Sequence, residues 1–326
     1  MQPQALRPLD GWFPGFADDV LDLGALSAPP GHHYLFTEGS PVDFPAVTML
    51  MATRPLLENE LRRRVACLAN VRTLQAQVSG IKCLDGAVQA VTYRPRTYHG
   101  WADQRSLAVD LVVDSMGKGS RMAAWLEEAG LGVFDTERVP VGIDYTTALF
   151  GRTGVPDITC ALDQFPTGRP YPPKRSDGLV FPGKNGALEA VAAYAVEDSL
   201  WQVVVIGKYS GVRISHRDVR DICAELPVVF QEAVEGNAVG ETVNFHYAQS
   251  VRRVTPERGL PARLLDIGDS VACFNPIHGQ GVWSAVEQAS LLAHHLAHHP
   301  DPLGGLAEFI DVRDKAVDAI WTSASA

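Results

Sequence analysis

The residues best placed to do chemistry lie in one stretch, Leu264–Leu296, LLDIGDSVACFNPIHGQGVWSAVEQASLLAHHL. Gly268-Asp269, Asn275-Pro276 and Gly279-Gln280-Gly281 crowd one loop, and His278 stands among them. Glycines let backbone come up against a ligand. A helix opening directly from the last glycine presents unpaired N–H groups and a partial positive charge. That is a binding device for an anion or for a cofactor that develops negative charge. Asp269 is either a cofactor contact or a turn residue. His278 can donate, accept or shuttle a proton near neutral pH, or simply hydrogen-bond to loop backbone.

A second junction of the same kind occurs upstream. Leu107–Asp114, LAVDLVVD, reads as an apolar strand that ends in Asp114 and turns through Gly117-Lys118-Gly119-Ser120 into a helix, Arg121–Ala129. Asp114 suits cofactor contact and a structural cap equally well. Other candidates carry less. His294, His295, His298 and His299 have the i, i+4 spacing of a helical metal site, but no third ligand type is near, and imidazole at a helix end complements the dipole. Cys273 reads as a small buried residue, and no Ser-His-Asp order is defined. Tyr145, Tyr194 and Trp201 fall on strands where pocket lining and core packing are equal readings.

Behind these residues, the periodicity predicts alternating helices and strands. A short helix covers Phe16–Leu23. A helix starting at Arg54 puts Leu57, Leu61, Val65 and Leu68 on one face and leaves Arg62 to Arg64 solvated. Strands at Val71–Leu74, Gln77–Cys83 and Val88–Tyr93 follow, the last two joined by a hairpin at Asp85-Gly86. Widely spaced strands come next at Val141–Phe150, Gly178–Phe181, Leu188–Val196 and Leu200–Lys208, around a Pro/Gly-rich stretch from Gly151 to Pro173. Ser215 with Asp218 signals a capped helix, and a last helix covers Leu306–Trp321. The expected fold is α/β (α+β overall), a parallel-sheet layer with an inserted antiparallel-sheet domain. Its division is 1–140 with 261–326 as a nucleotide-binding-like domain, and 141–260 as a substrate domain.

Composition bounds the function. The chain has 326 residues, 46% hydrophobic, which suffices for one large or two ordinary domains. Its 28 basic against 38 acidic residues give −10 with no basic run, which argues against nucleic acid or an anionic membrane surface as partner. The five cysteines, Cys67, Cys83, Cys160, Cys223 and Cys273, form no metal-type spacing, and no apolar run is long enough for a bilayer. These features predict a soluble, cytoplasmic protein and leave the oligomeric state open.

GDSVACFNPIHGQG at Gly268–Gly281 resembles the second FAD-binding motif of the single-component, aromatic-hydroxylase-type flavin monooxygenases. DLVVDSMGKGSR at Asp110–Arg121 resembles that family's central Asp-Gly motif, and ATRPLLENELRRRV the segment before it. The resemblance runs over essentially the whole chain. It implies FAD as cofactor and NAD(P)H as reductant. The implied cofactor contacts are Arg54, Asp114, Gly117, Gly268, Asp269, Pro276, Gly279, Gln280 and Gly281. Asp269 would meet ribityl hydroxyls and the Gly279–Gly281 helix start the flavin pyrimidine ring, while His278 and Trp283 would lie at the reacting centre. The Cys273-Phe274-Asn275 variant is similar to polyketide-pathway epoxidases and hydroxylases. Two departures stand out. No GxGxxG unit precedes Arg54, and Trp283 replaces a small or slender side chain beside the flavin. A third is mild, Ser270 for alanine. Either the natural start lies upstream, or the short form is real and FAD binding is weakened or lost. The expected activity is hydroxylation or epoxidation of a hydrophobic, polyketide-derived substrate. The alternatives are a flavin-free cyclase of the [4+2] type, which would work by preorganisation, and a non-catalytic scaffold.

Overall fold

The computed structural model describes the whole chain except residues 2, 38–39, 44–46, 133–134, 155–176, 184–186, 209–210, 257–258 and 326. Most of the Pro/Gly-rich stretch, including Cys160, lies outside the described residues. By contact the chain forms two compact units, 1–65 with 142–248 and 66–141 with 249–326. Residues 1–65, expected with the nucleotide-binding layer, cluster instead with the inserted sheet. Their strand His33–Thr37 pairs in parallel with Gly178–Pro182 and so belongs to that sheet.

In the first unit the sheet runs in the order Ala238–Val254, Asp135–Gly151, Leu200–Gly207, Leu188–Val196, Gly178–Pro182, His33–Thr37, Ser40–Asp43. Side chains alternate between its faces. Phe150, Trp201, Val203, Val205, Val191 and Ala193 point to one face, where Val219, Cys223, Val229 and Phe230 of the helices His216–Ala224 and Val228–Glu232 close over them. A fully buried side chain such as Phe230 contributes about 1.5–3 kcal/mol there. The capping box at Ser215 forms as the sequence predicts, with Ser215 and Asp218 exchanging hydrogen bonds. Burial pushes the Cys223 thiol up to about 12.

Arg64 departs from its expected solvated role. On the helix Arg54–Ala66 it turns inward to Glu60 Oε1 and Asp19 Oδ2, both at 2.6 Å, and to the carbonyls of Phe13, Pro14 and Gly15. Glu60, only 3% exposed, anchors this knot. The hydrogen bond from Arg63 leads in holding its carboxyl at about 2; burial opposes it, and Arg64 adds a second bond. The chain passing over this helix offers carbonyls that only a guanidinium fork can satisfy together.

In the second unit, Val112–Asp114 and Leu264–Asp266 pair in parallel, with Asp114 level with Asp266. Leu264 packs with Val88, Met122, Trp125 and Leu126. Its neighbour Leu265 packs with Leu292, Leu306, Phe309 and Ile310. The strand is thus covered on both faces, as a parallel pair requires. The helices Gln280–His298 and Leu306–Ser325 supply one cover, and Met122–Glu128 with the hairpin Ala76–Leu84/Ala87–Thr97 the other. Asp85 and Gly86, at φ 51° and 75°, make the expected tight turn. Two expectations fail. Val71–Leu74 is not strand, and Leu107–Asp114 breaks into Arg105–Ala108 and Val112–Asp114. The first piece pairs antiparallel with the hairpin and the second in parallel with Leu264–Asp266, so the chain must leave one sheet to enter the other.

Candidate functional site

Both glycine junctions lie at the carboxyl ends of the parallel pair, where α/β sheets hold their ligands. The first is filled by its own side chains. Asp114, 4% exposed, accepts from the Met116 N–H at 2.9 Å, from the Ser270 hydroxyl at 3.3 Å and from the Ser120 hydroxyl. Ser120 also accepts from the Met122 N–H at 3.1 Å, so Asp114 indirectly caps the helix Met122–Glu128. Gly117, at φ 73°, donates its N–H to Ser270 Oγ at 2.8 Å and lies against Asp269. Ser270, where alanine is usual in the resembled motif, therefore ties the two junctions together.

The second junction is open. Its backbone is braced from behind: Gly268 donates its N–H to Gln288 Oε1 at 2.8 Å, and Gln288 is held by Ser284 Oγ at 2.9 Å. Arg253 reaches the carbonyls of Ser270 and Lys118 at 2.7 and 2.8 Å. Asn275 caps the short turn Pro276–His278 through the Ile277 N–H. Ahead of this frame Asp269, Pro276, His278 and Gly279 are exposed, and Gln280 and Gly281 half-buried. Gly279 takes the left-handed conformation, φ 63°, that a side chain would resist, and the helix Gln280–His298 starts directly after it. A Cβ at Gly279 or Gly281 would meet nothing within 4 Å. The Gln280 side-chain carbonyl is buried without a hydrogen-bond partner among the described residues. The first N–H groups of a helix have no partner inside it.

Asp114, Gly117, Gly268 and Asp269 are thus gathered around Ser270. Arg54 belongs to the first unit, where its 85% exposed side chain pairs with Glu58 at 2.6 Å. Trp283, expected at the reacting centre, packs with Val271, Phe274, Val317 and Trp321 inside the second unit. The position three residues into the helix turns its side chain back onto the core. The brackets Arg253 and Gln288 were missed from sequence. Ser284 with Gln288, polar residues four apart on an apolar helix face, was the available signal.

The remaining candidates resolve. His294 stacks on His298 and His295 on His299, at 4.4 and 4.7 Å between rings. His295, His298 and His299 bond to carbonyls at the helix end, and no group of three potential metal ligands occurs among the described residues. Trp201 is core at 1% exposure. Tyr145 and Tyr194, aligned with Ile206 and Gln202, share the opposite sheet face. Burial pushes the Tyr194 hydroxyl up to about 12. No helix among the described residues is long and apolar enough to cross a membrane.

An open helix start, an exposed carboxylate and a buried orphan carbonyl fit the ribityl and ring end of a flavin. For the pyrophosphate, the 326 residues contain no Gly-x-Gly-x-x-Gly.

No family model matches the sequence. Protein Rv3254 of Mycobacterium tuberculosis (strain ATCC 25618 / H37Rv) is 25% identical over 338 residues, spanning 98% of this chain and 68% of that one. Among solved structures, PqsL, a probable FAD-dependent monooxygenase from Pseudomonas aeruginosa, superposes with a TM-score of 0.64. It is 17% identical, and the match covers 100% of this chain and 85% of that one. Klebsiella pneumoniae HpxO, solved in complex with FAD and uric acid, gives 0.63 at 15% identity over 98% and 76%. The chain therefore has the mixed α/β fold of the FAD-dependent monooxygenases.

Proposed function

We propose that the chain is a flavoprotein oxygenase that holds FAD at the open junction, takes electrons from NAD(P)H and oxygenates a hydrophobic small molecule. The observation that carries this reading is the glycine-lined helix start at Gly279–Gly281 beside the exposed carboxylate of Asp269. When bound, the flavin supplies two-electron redox chemistry and the activation of dioxygen. The protein's share is positioning and charge. The N–H groups at the start of Gln280–His298 would donate to the pyrimidine oxygens and favour negative charge on the reduced ring. Asp269 would accept from ribityl hydroxyls, and the missing side chain at Gly281 lets the ring approach. Asp114 and Gly117 contribute by fixing the loop beneath rather than by contact. His278, exposed on the loop, is the group available to move a proton.

Substrate recognition is assigned to residues 142–248, on the sheet face bearing Tyr145 and Tyr194. A polyketide-derived substrate, and with it a place in secondary metabolism, rests on the Cys273-Phe274-Asn275 variant of the loop. The deciding experiment is titration of the purified chain with FAD, followed by flavin absorbance and fluorescence. Saturable binding that is lost in Gly281→Asp supports the reading. A chain that takes up no FAD sinks it, and conversion of a polyene by that colourless protein would establish the cyclase alternative.

A further inference from the structure

Beside the helix Leu306–Ser325 lies a cavity of about 490 Å³, none of whose lining residues belongs to the two glycine loops. Its volume falls in the range of roughly 300–1,000 Å³ typical of small-molecule sites. Leu260, Leu303, Leu306 and Ile310 form an apolar wall, and Asp311 and Asp314 stand at one side. The neighbouring Arg313 is already engaged. Arg313, fully buried, bonds through Nη1 to Asp266, through Nη2 to Thr255 and Asp314, and through Nε to Asp314. It reaches only Oδ1 of Asp314, which leaves the other oxygen of that carboxylate. Asp311 is exposed and has no ion-pair partner among the described residues. Two carboxylates, Asp311 and Asp314, therefore line the cavity, and no cationic side chain among the described residues lines it.

We propose that this cavity binds a small amphiphilic cation: an apolar body against Leu260, Leu303, Leu306 and Ile310, with a primary ammonium group at Asp311 and the second oxygen of Asp314. The negative charge of these two aspartates disfavours a carboxylate of the same shape, since like charge at close range raises its energy while an ammonium gains charge-assisted hydrogen bonds. The site is independent of the flavin reading, because it shares no loop with it.

The test uses the full chain with two probes of matched shape, tryptamine and indole-3-propionate, followed by titration calorimetry. Ala307→Trp fills the cavity from an exposed helix position, and circular dichroism checks its fold. Tryptamine is expected to bind with or without FAD present, indole-3-propionate not to bind, and Ala307→Trp to abolish binding. Asp311→Asn is expected to weaken tryptamine about fivefold, the upper range for an exposed pair. Equal binding of the two probes, unchanged binding to Ala307→Trp, displacement by FAD, or no tryptamine binding at millimolar concentration would each overturn the proposal.

Discussion

The two glycine junctions of the second unit have the same sequence logic and opposite outcomes. Each delivers an aspartate and glycines from a parallel strand to a helix. At the first, Asp114 is buried and its carboxylate is consumed by Met116, Ser120 and Ser270. At the second, Asp269 stays exposed and the helix start beyond it is bare. The serines at 120 and 270 make the first junction a bracket, because hydroxyls within reach turn Asp114 into a cap. The second, with its aspartate at the surface, is the junction proposed as a cradle.

The largest effect that probes this contrast comes from Gly281→Asp. The new side chain enters open space and sets an anion at a helix N-terminus, which stabilises the fold by about 0.3–1 kcal/mol. The same anion would occupy the ground proposed for the flavin ring, so FAD affinity should fall on the order of 100-fold. Stability and binding thus move in opposite directions, read by thermal unfolding and fluorescence titration. A variant that loses stability and keeps FAD would break the distinction.

Next in size is Asp114→Ala. It takes the acceptor from the Met116 N–H and two hydroxyls, of which the Ser270 hydroxyl is buried, at a cost of about 1–3 kcal/mol in denaturant unfolding. Asp269→Ala, by contrast, should stay within about 0.5 kcal/mol of wild type in stability, as exposed sites do, while weakening FAD about tenfold. If Asp269→Ala proved the more destabilising of the two, the assignment of bracket and cradle would be reversed.

How much of this was legible beforehand follows from range. Interactions a few residues apart could be read: the Ser215–Asp218 capping box and the Asp85-Gly86 turn. Pairings set by distant chain could not. Leu107–Asp114 has one continuous apolar pattern, yet two different partner strands divide it. Ala238–Val254 is a 17-residue strand whose mixture of glycine, charge and aromatics hides its period. Arg64 looks like a surface charge in its helix and is half-buried, and Arg313 is fully buried, because carbonyls and carboxylates converge on them from elsewhere. Within the candidate site, the motif singles out two glycine loops. It could not say that Ser270 joins them or that Trp283 turns into the core, because both depend on where a second element lies.

The smallest effect sharpens the comparison from beneath. Asp266 sits level with Asp114 on the partner strand, and its carboxyl is pushed up first by burial. Arg313 pulls it down by charge and hydrogen bond, and the negative charge of Asp114 adds to the upward push. Asp114→Asn removes that charge while keeping the side chain's shape, so Asp266 should titrate at lower pH than in wild type. Asp269→Asn should move it less, because water screens the charge of an exposed carboxylate. Side-chain carboxyl NMR across an acid titration reads both variants. An equal shift in both would mean that the two aspartates couple to the strand pair alike, and the bracket would then have no electrostatic identity of its own.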